Sequence, residues 1–126
     1  MKKIDDFTDL IVWQKAHQLV LEIYKITRNL PDHEKFALAV QMQRAAVSVT
    51  SNISEGFARR SKKEKLQFYY MALSSLSELR NQLIICRDLK YLSSKTIEQL
   101  EPKTIEVRKL INGLIKSSVD YKIESY

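Results

Sequence analysis

Gln41-Met-Gln-Arg-Ala-Ala-Val-Ser-Val-Thr-Ser-Asn-Ile-Ser-Glu-Gly56 is the stretch that decides the fold. At the helical pitch of roughly 100° per residue, Gln41, Arg44, Ser48, Asn52 and Glu55 fall within an arc of about 80°. Leu38, Met42, Ala45, Val49 and Ile53 form an apolar arc on one side of that stripe. Phe36, Val40 and Val47 lie on the other side. A helix that is apolar on both flanks of a narrow polar seam must be covered from two directions. In a chain of 126 residues few elements can do this, so the segment predicts a helical bundle that also associates with itself. The five seam residues are expected to form a hydrogen-bonded structural network, because buried polar groups of one stripe satisfy one another.

The rest of the chain agrees with an all-α reading. It holds only two glycines and two prolines, too little turn chemistry for many short strands. At this length one core forms without staples, which predicts a single domain over 1–126. One cysteine, Cys86, excludes an internal disulfide. The start Met1-Lys-Lys-Ile-Asp-Asp-Phe7 lacks the apolar run of a signal peptide. No stretch of about 18 apolar residues offers a membrane span. These features predict a cytoplasmic chain with no membrane role.

Helical spacing of Val12, Ala16, Leu19, Val20, Ile23 and Ile26 predicts a first helix over about 10–29, with Asp9 as its cap and Pro31 closing it. Trp13, His17 and Tyr24 lie along one side of it, at a core edge or against another subunit. The second helix is expected over about 33–58, with Gly56 ending or loosening it. Ser61-Lys-Lys-Glu64 has the capping-box pattern and opens a third helix over about 62–89. That helix also has two apolar faces, one with Leu66, Tyr70, Leu73 and Ile84, the other with Phe68, Ala72, Leu79 and Cys86. A fourth seam, Ile97, Leu100, Thr104, Val107, Ile111 and Leu114, predicts a helix over about 95–118. Ser93 or Ser94 would cap it, and Pro102 would either kink or start it. Residues 1–8 and 119–126 read as tails. Short connections make neighbours antiparallel, so the expected architecture is an up-down-up-down four-helix bundle.

Catalytic chemistry has little to work with. His17 and His33 stand on different elements outside any ligand-spaced cluster. There is no glycine-rich phosphate loop and no nucleophile elbow. No catalytic residue, metal site or cofactor is expected. Asn52-Ile-Ser54 matches a glycosylation sequon, which has no meaning in a helix of a cytoplasmic chain.

The charge is more telling. Of a net +6, residues 61–92 carry +3, and Arg59-Arg-Ser-Lys-Lys-Glu-Lys65 packs five cations and one anion into seven residues. Cations at a helix start oppose the macrodipole, while exposed amides flanked by Arg59, Arg60, Lys62, Lys63 and Lys65 would suit a phosphate. These five are the candidate nucleic-acid contacts, with Arg44 and Lys90 secondary. Without a base-reading motif, binding should ignore sequence.

A family resemblance rests on Phe7-x-x-Leu-x-Val-Trp-Gln-Lys-Ala16, Gln41-x-x-Arg-Ala-Ala-Val-Ser48, Ser51-Asn-Ile-Ser-Glu-Gly56, Phe68-x-x-x-Ala72 and Ser75-Leu-x-Glu-Leu79. Over residues 7 to about 117 the chain resembles the bacterial four-helix-bundle proteins encoded in intervening sequences of 23S ribosomal RNA genes. That family is similar in fold to the accessory variability protein of diversity-generating retroelements, a basic pentamer that binds nucleic acid and a reverse transcriptase. The resemblance implies a homopentamer, and by analogy RNA, DNA, a reverse transcriptase or another protein as partners. Gln43 and Thr50 depart from the arginine and proline common in the family. The chain is therefore expected to be a non-enzymatic, basic, oligomeric adaptor on nucleic-acid backbones, or alternatively a protein–protein scaffold for an acidic partner.

Overall fold

In the computed structural model, which describes the backbone of residues 3–124 and side chains up to residue 119, four helices account for nearly all of the chain. They are α1 (Ile11–Thr27), α2 (Leu38–Ala58), α3 (Lys62–Asp88) and α4 (Ser94–Glu124). Single 3₁₀ turns at Phe7–Asp9 and Asp32–Glu34 precede α1 and α2. Among the described residues there is no strand. Cross-helix pairs show that neighbours run antiparallel. Gln43 near the start of α2 bonds Thr27 at the end of α1. Met42 meets Cys86, and Ser48 meets Ser75, between α2 and α3. Lys62 at the start of α3 reaches the carbonyl of Val119 in α4.

The core is the apolar stripe of each helix: Ala16, Leu19 and Ile23 from α1, Met42, Val49 and Ile53 from α2, Ala72, Leu76 and Leu79 from α3, and Val107 and Ile111 from α4. The arc Met42, Ala45, Val49 and Ile53 is buried as expected. In α3 the Ala72, Leu79 and Cys86 face is buried in the core, joined by Tyr69, Leu76 and Leu83, and Leu66 and Leu73 of the other expected face pack partly buried against it. Tyr70 and Ile84, expected on a second apolar face, stay 54% and 44% exposed. Val47 on the outer flank of α2, and Phe36, which precedes the helix, are exposed as well.

The helix ends differ from expectation in instructive ways. Asp9 does not cap α1. Its carboxylate accepts from the Asp5 and Asp6 amides, and with Asp6 it closes a capping box on the 3₁₀ turn. The N-terminal segment expected as a tail is thus partly folded. α2 begins at Leu38 instead of 33, because Ala37 leaves helical geometry (φ −121°, ψ −97°); the Glu34 carboxylate accepts from the Leu38 amide at 3.5 Å with one oxygen and from Tyr91 Oη at 3.0 Å with the other. At α3 the serine half of the box forms, with the Glu64 amide donating to Ser61 Oγ at 3.2 Å. Ser93 caps α4 by accepting from the Thr96 amide at 3.2 Å. Pro102 lies inside α4 and does not start it. α4 also continues past 118 to Glu124, with no glycine or proline after Gly113 to stop it. The last two residues of the expected C-terminal tail, and residues 1–2 of the N-terminal one, lie outside the described residues.

Gly56 sits inside α2, not at its end, and is buried. Its missing side chain lets α2 and α3 close on each other, for a Cβ there would stand 2.5 Å from Tyr69 Cε1. This close approach sets the geometry of the corner where the two helices meet.

Candidate nucleic-acid interface

That corner carries Arg59, Arg60, Lys62, Lys63 and Lys65. Lys65, one turn into α3, turns back to the end of α2 and donates from Nζ to the carbonyl oxygens of Phe57 (2.9 Å) and Gly56 (3.2 Å). Its ammonium also lies 5.6 Å from the centre of the Phe57 ring. These carbonyls belong to the negative end of the α2 dipole, where a cation is stabilising. The clash between basic residues and the α3 macrodipole is thereby resolved, because the last turn of α2 lies beside the first turn of α3. Burial pulls the Lys65 pKa down.

Two more of the five are engaged within the chain. Lys62 Nζ donates to the Val119 carbonyl at 3.2 Å and ties α3 to α4. Arg59 pairs with Glu55 at 3.0 Å, one helical turn away, and its guanidinium lies 4.8 Å from the centre of the Phe68 ring. Arg60 and Lys63 are exposed, and their side chains make no hydrogen bond or ion pair among the described residues. The cluster therefore divides into three cations engaged within the chain, of which Lys65 bridges α3 to α2, and two that face outward.

The seam expected as one network also divides. Asn52 is 8% exposed and donates from Nδ2 to the Ser48 carbonyl (2.8 Å) and to Ser48 Oγ (3.0 Å). Ser48 Oγ lies 2.7 Å from Ser75 Oγ on α3. Glu55 is diverted to Arg59, while the Gln41 and Arg44 side chains are exposed and have no partner among the described residues. The five-residue network is thus corrected to Ser48 and Asn52 with Ser75. The expectation failed because angle alone does not set burial: Gln41 points between Ser48 and Asn52 but stands in the first turn of α2 and is exposed, while Arg44 and Glu55 lie toward the edge of the arc and reach water. Ser75 was missed as a partner because only helix register brings it opposite Ser48. Gln82, 6% exposed with Oε1 lacking a partner, was missed in the same way. Gln43, one of the two family departures, serves the fold by donating to Thr27 Oγ1 at 3.0 Å.

Other reactive side chains are spent in packing. His17 stacks on Trp13 with centroids 4.7 Å apart, and Phe7 meets Trp13 edge-on at 5.3 Å. His33 Nε2 lies 3.2 Å from Tyr91 Oη, which donates to Glu34. Cys86 is buried 3.7 Å from Met42 Sδ, and burial, with a smaller push from Glu34, raises its thiol to about 11. Among the described residues no group of three or more His, Cys, Asp or Glu could hold a metal ion. No helix among them is long and apolar enough to cross a membrane.

Comparison with known proteins places this bundle. A crystal structure of a protein of unknown function from the S23 ribosomal protein family of Bacteroides thetaiotaomicron superposes with a TM-score of 0.78 at 22% identity. The match covers 84% of this chain and 96% of that one, and it shows a shared fold. No curated protein matches the chain. The family model described as 23S rRNA-intervening sequence protein matches residues 8–113, so the chain belongs to that family.

Proposed function

We propose that this protein is a non-enzymatic, homo-oligomeric adaptor that contacts RNA or DNA phosphate backbones at the α2–α3 corner. One observation carries the reading: Arg59, Lys62 and Lys65 are engaged within the chain, while Arg60 and Lys63 project from the corner with no side-chain partner among the described residues. Phosphate contacts of this kind give affinity without sequence preference. Self-association is supported by Val47, Tyr70 and Met71, large apolar side chains left exposed on α2 and α3. A pentamer, the state the family resemblance implies, would raise the charge from +6 per chain to about +30 and let weak contacts add. Arg60→Glu combined with Lys63→Glu should abolish salt-sensitive binding to structured RNA and duplex DNA while leaving the melting curve in place. Full binding by that variant rejects the corner as the interface. Light scattering should find about five chains per particle, and Val47→Glu should dissociate them; a monomer with wild-type sequence rejects the oligomer.

The scaffold reading, in which an acidic protein is the partner, is favoured by the engagement of three of the five cations inside the chain. Fewer free cations release fewer counterions. Absence of nucleic-acid binding near physiological salt would decide for the scaffold.

A further inference from the structure

We infer that the cleft between the C-terminal half of α3 and the start of α4 is a docking groove for an acidic amphipathic helix of a partner protein. The cleft holds a cavity of about 50 Å³, enough for the tip of one aliphatic side chain and too small for a cofactor. Its floor is Leu83, Ile97 and Thr104, all buried. The Thr104 hydroxyl donates to the Glu101 carbonyl at 2.7 Å, so it is already satisfied and asks nothing of a ligand. Ile84 stands at the rim, 44% exposed.

Arg80 and Arg87 flank Ile84 on the same edge. Seven residues apart, they are two helical turns, about 10 Å, from each other. Arg80 has no ion-pair partner among the described residues. Arg87 pairs with its neighbour Asp88, but the two side chains are 52% and 63% exposed, so the pair is solvent-screened and readily exchanged. A cation, an apolar pit and a second cation along one line complement a helix bearing acid, apolar and acid residues at i, i+3 or i+4, and i+7. Glu101 in the facing wall repels any anion set against α4, a phosphate or a peptide carboxylate alike, so the partner helix must place its two acids on the α3 edge opposite Arg80 and Arg87 and its apolar side chain over the pit.

The groove lies apart from the α2–α3 corner, since Lys63 and Arg80 are seventeen residues, about 25 Å, apart along α3. The inference therefore goes beyond the nucleic-acid reading and does not rest on it. The probe is a set of synthetic helical peptides with glutamate at i and i+7 and leucine at i+3 or i+4, titrated into the methyl-labelled full-length protein. Resonances of Leu83, Ile84 and Ile97 should shift. Affinity should fall about tenfold or more when Arg80→Glu and Arg87→Glu are combined, or when the peptide leucine becomes alanine. Replacing both peptide glutamates with lysine should restore binding to the charge-reversed protein, an effect that misfolding cannot produce. The inference is overturned if no peptide shifts these methyls at millimolar concentration, or if the charge reversal changes subunit number instead of peptide affinity. Displacement of the peptide from these methyls by duplex RNA would also overturn it.

Discussion

Replacing Gly56 with alanine tests the packing of the α2–α3 corner directly. In an isolated helix Gly→Ala stabilises by about 0.5–1 kcal/mol. Here the added methyl would lie 2.5 and 2.8 Å from two carbons of the Tyr69 ring and 3.2 Å from Phe68 Cβ. Tyr69 is 2% exposed and cannot swing away. Relieving the contact requires about 1 Å of movement between the helices, and overpacking of this kind costs about 2–3 kcal/mol. The net expectation is a loss of about 1–2 kcal/mol. With an unfolding entropy of about 0.26 kcal/mol/K for a chain of this size, Tm should fall by about 4–8 °C. Gly113 is the internal control, for a Cβ there meets nothing within 4 Å. Gly113→Ala should raise Tm by about 2–4 °C through backbone entropy alone. Both variants are melted by circular dichroism at one protein concentration, with urea titrations alongside. Combining Gly56→Ala with Tyr69→Leu should recover part of the loss, since the cost arises between those two side chains. If Gly56→Ala matches Gly113→Ala in sign and size, the close approach of α2 and α3 is refuted.

Lys65→Met should cost about 1–2 kcal/mol, because it strips two charge-assisted hydrogen bonds from the partly shielded end of α2, whereas Lys63→Met should stay within about 0.5 kcal/mol; equal urea midpoints would contradict the capping role. Asn52→Ala should lose about 1–2 kcal/mol by leaving Ser48 and Ser75 underbonded, and Arg44→Ala should change little. The reverse order in chemical denaturation would reinstate the five-residue seam. Cys86, raised from 9.0 to about 11, keeps in the folded state a proton that the unfolded chain gives up. Its contribution is therefore complete below pH 9 and lost as pH climbs toward 11, by roughly 2 kcal/mol. Cys86→Ala should show a shallower decline over that window, and a parallel decline would count against the buried thiol.

The four helices were legible because each carries an apolar stripe at the α-helical period, and the chain has almost no residues that interrupt one. Met42, Ala45, Val49 and Ile53 lie in the core for the reason their spacing gives. Ser61 caps α3 through its own local hydrogen bond, with the partner amide three residues away. Such features depend on neighbours within a turn or two, so the order of residues suffices to read them. The local reading failed where short-range rules competed. Asp9 served the preceding turn instead of α1, and Gly56 looked like a stop signal when it is a contact surface.

By itself the sequence determined the helical class, the core stripes and the location of the positive charge. Only the tertiary structure decided which cations are free. Lys65 sits in the same basic run as Arg60 and Lys63, and nothing in their order distinguishes it, whereas Arg59 has its partner Glu55 only four residues back. The distinction appears when the end of α2 is laid beside the start of α3. Exposed carbonyls then claim Lys65, and Lys62 finds its acceptor fifty-seven residues away in α4. A charge's availability depends on what folding brings within about 3 Å of it, and that distance is set by helix register and packing, which no local pattern records.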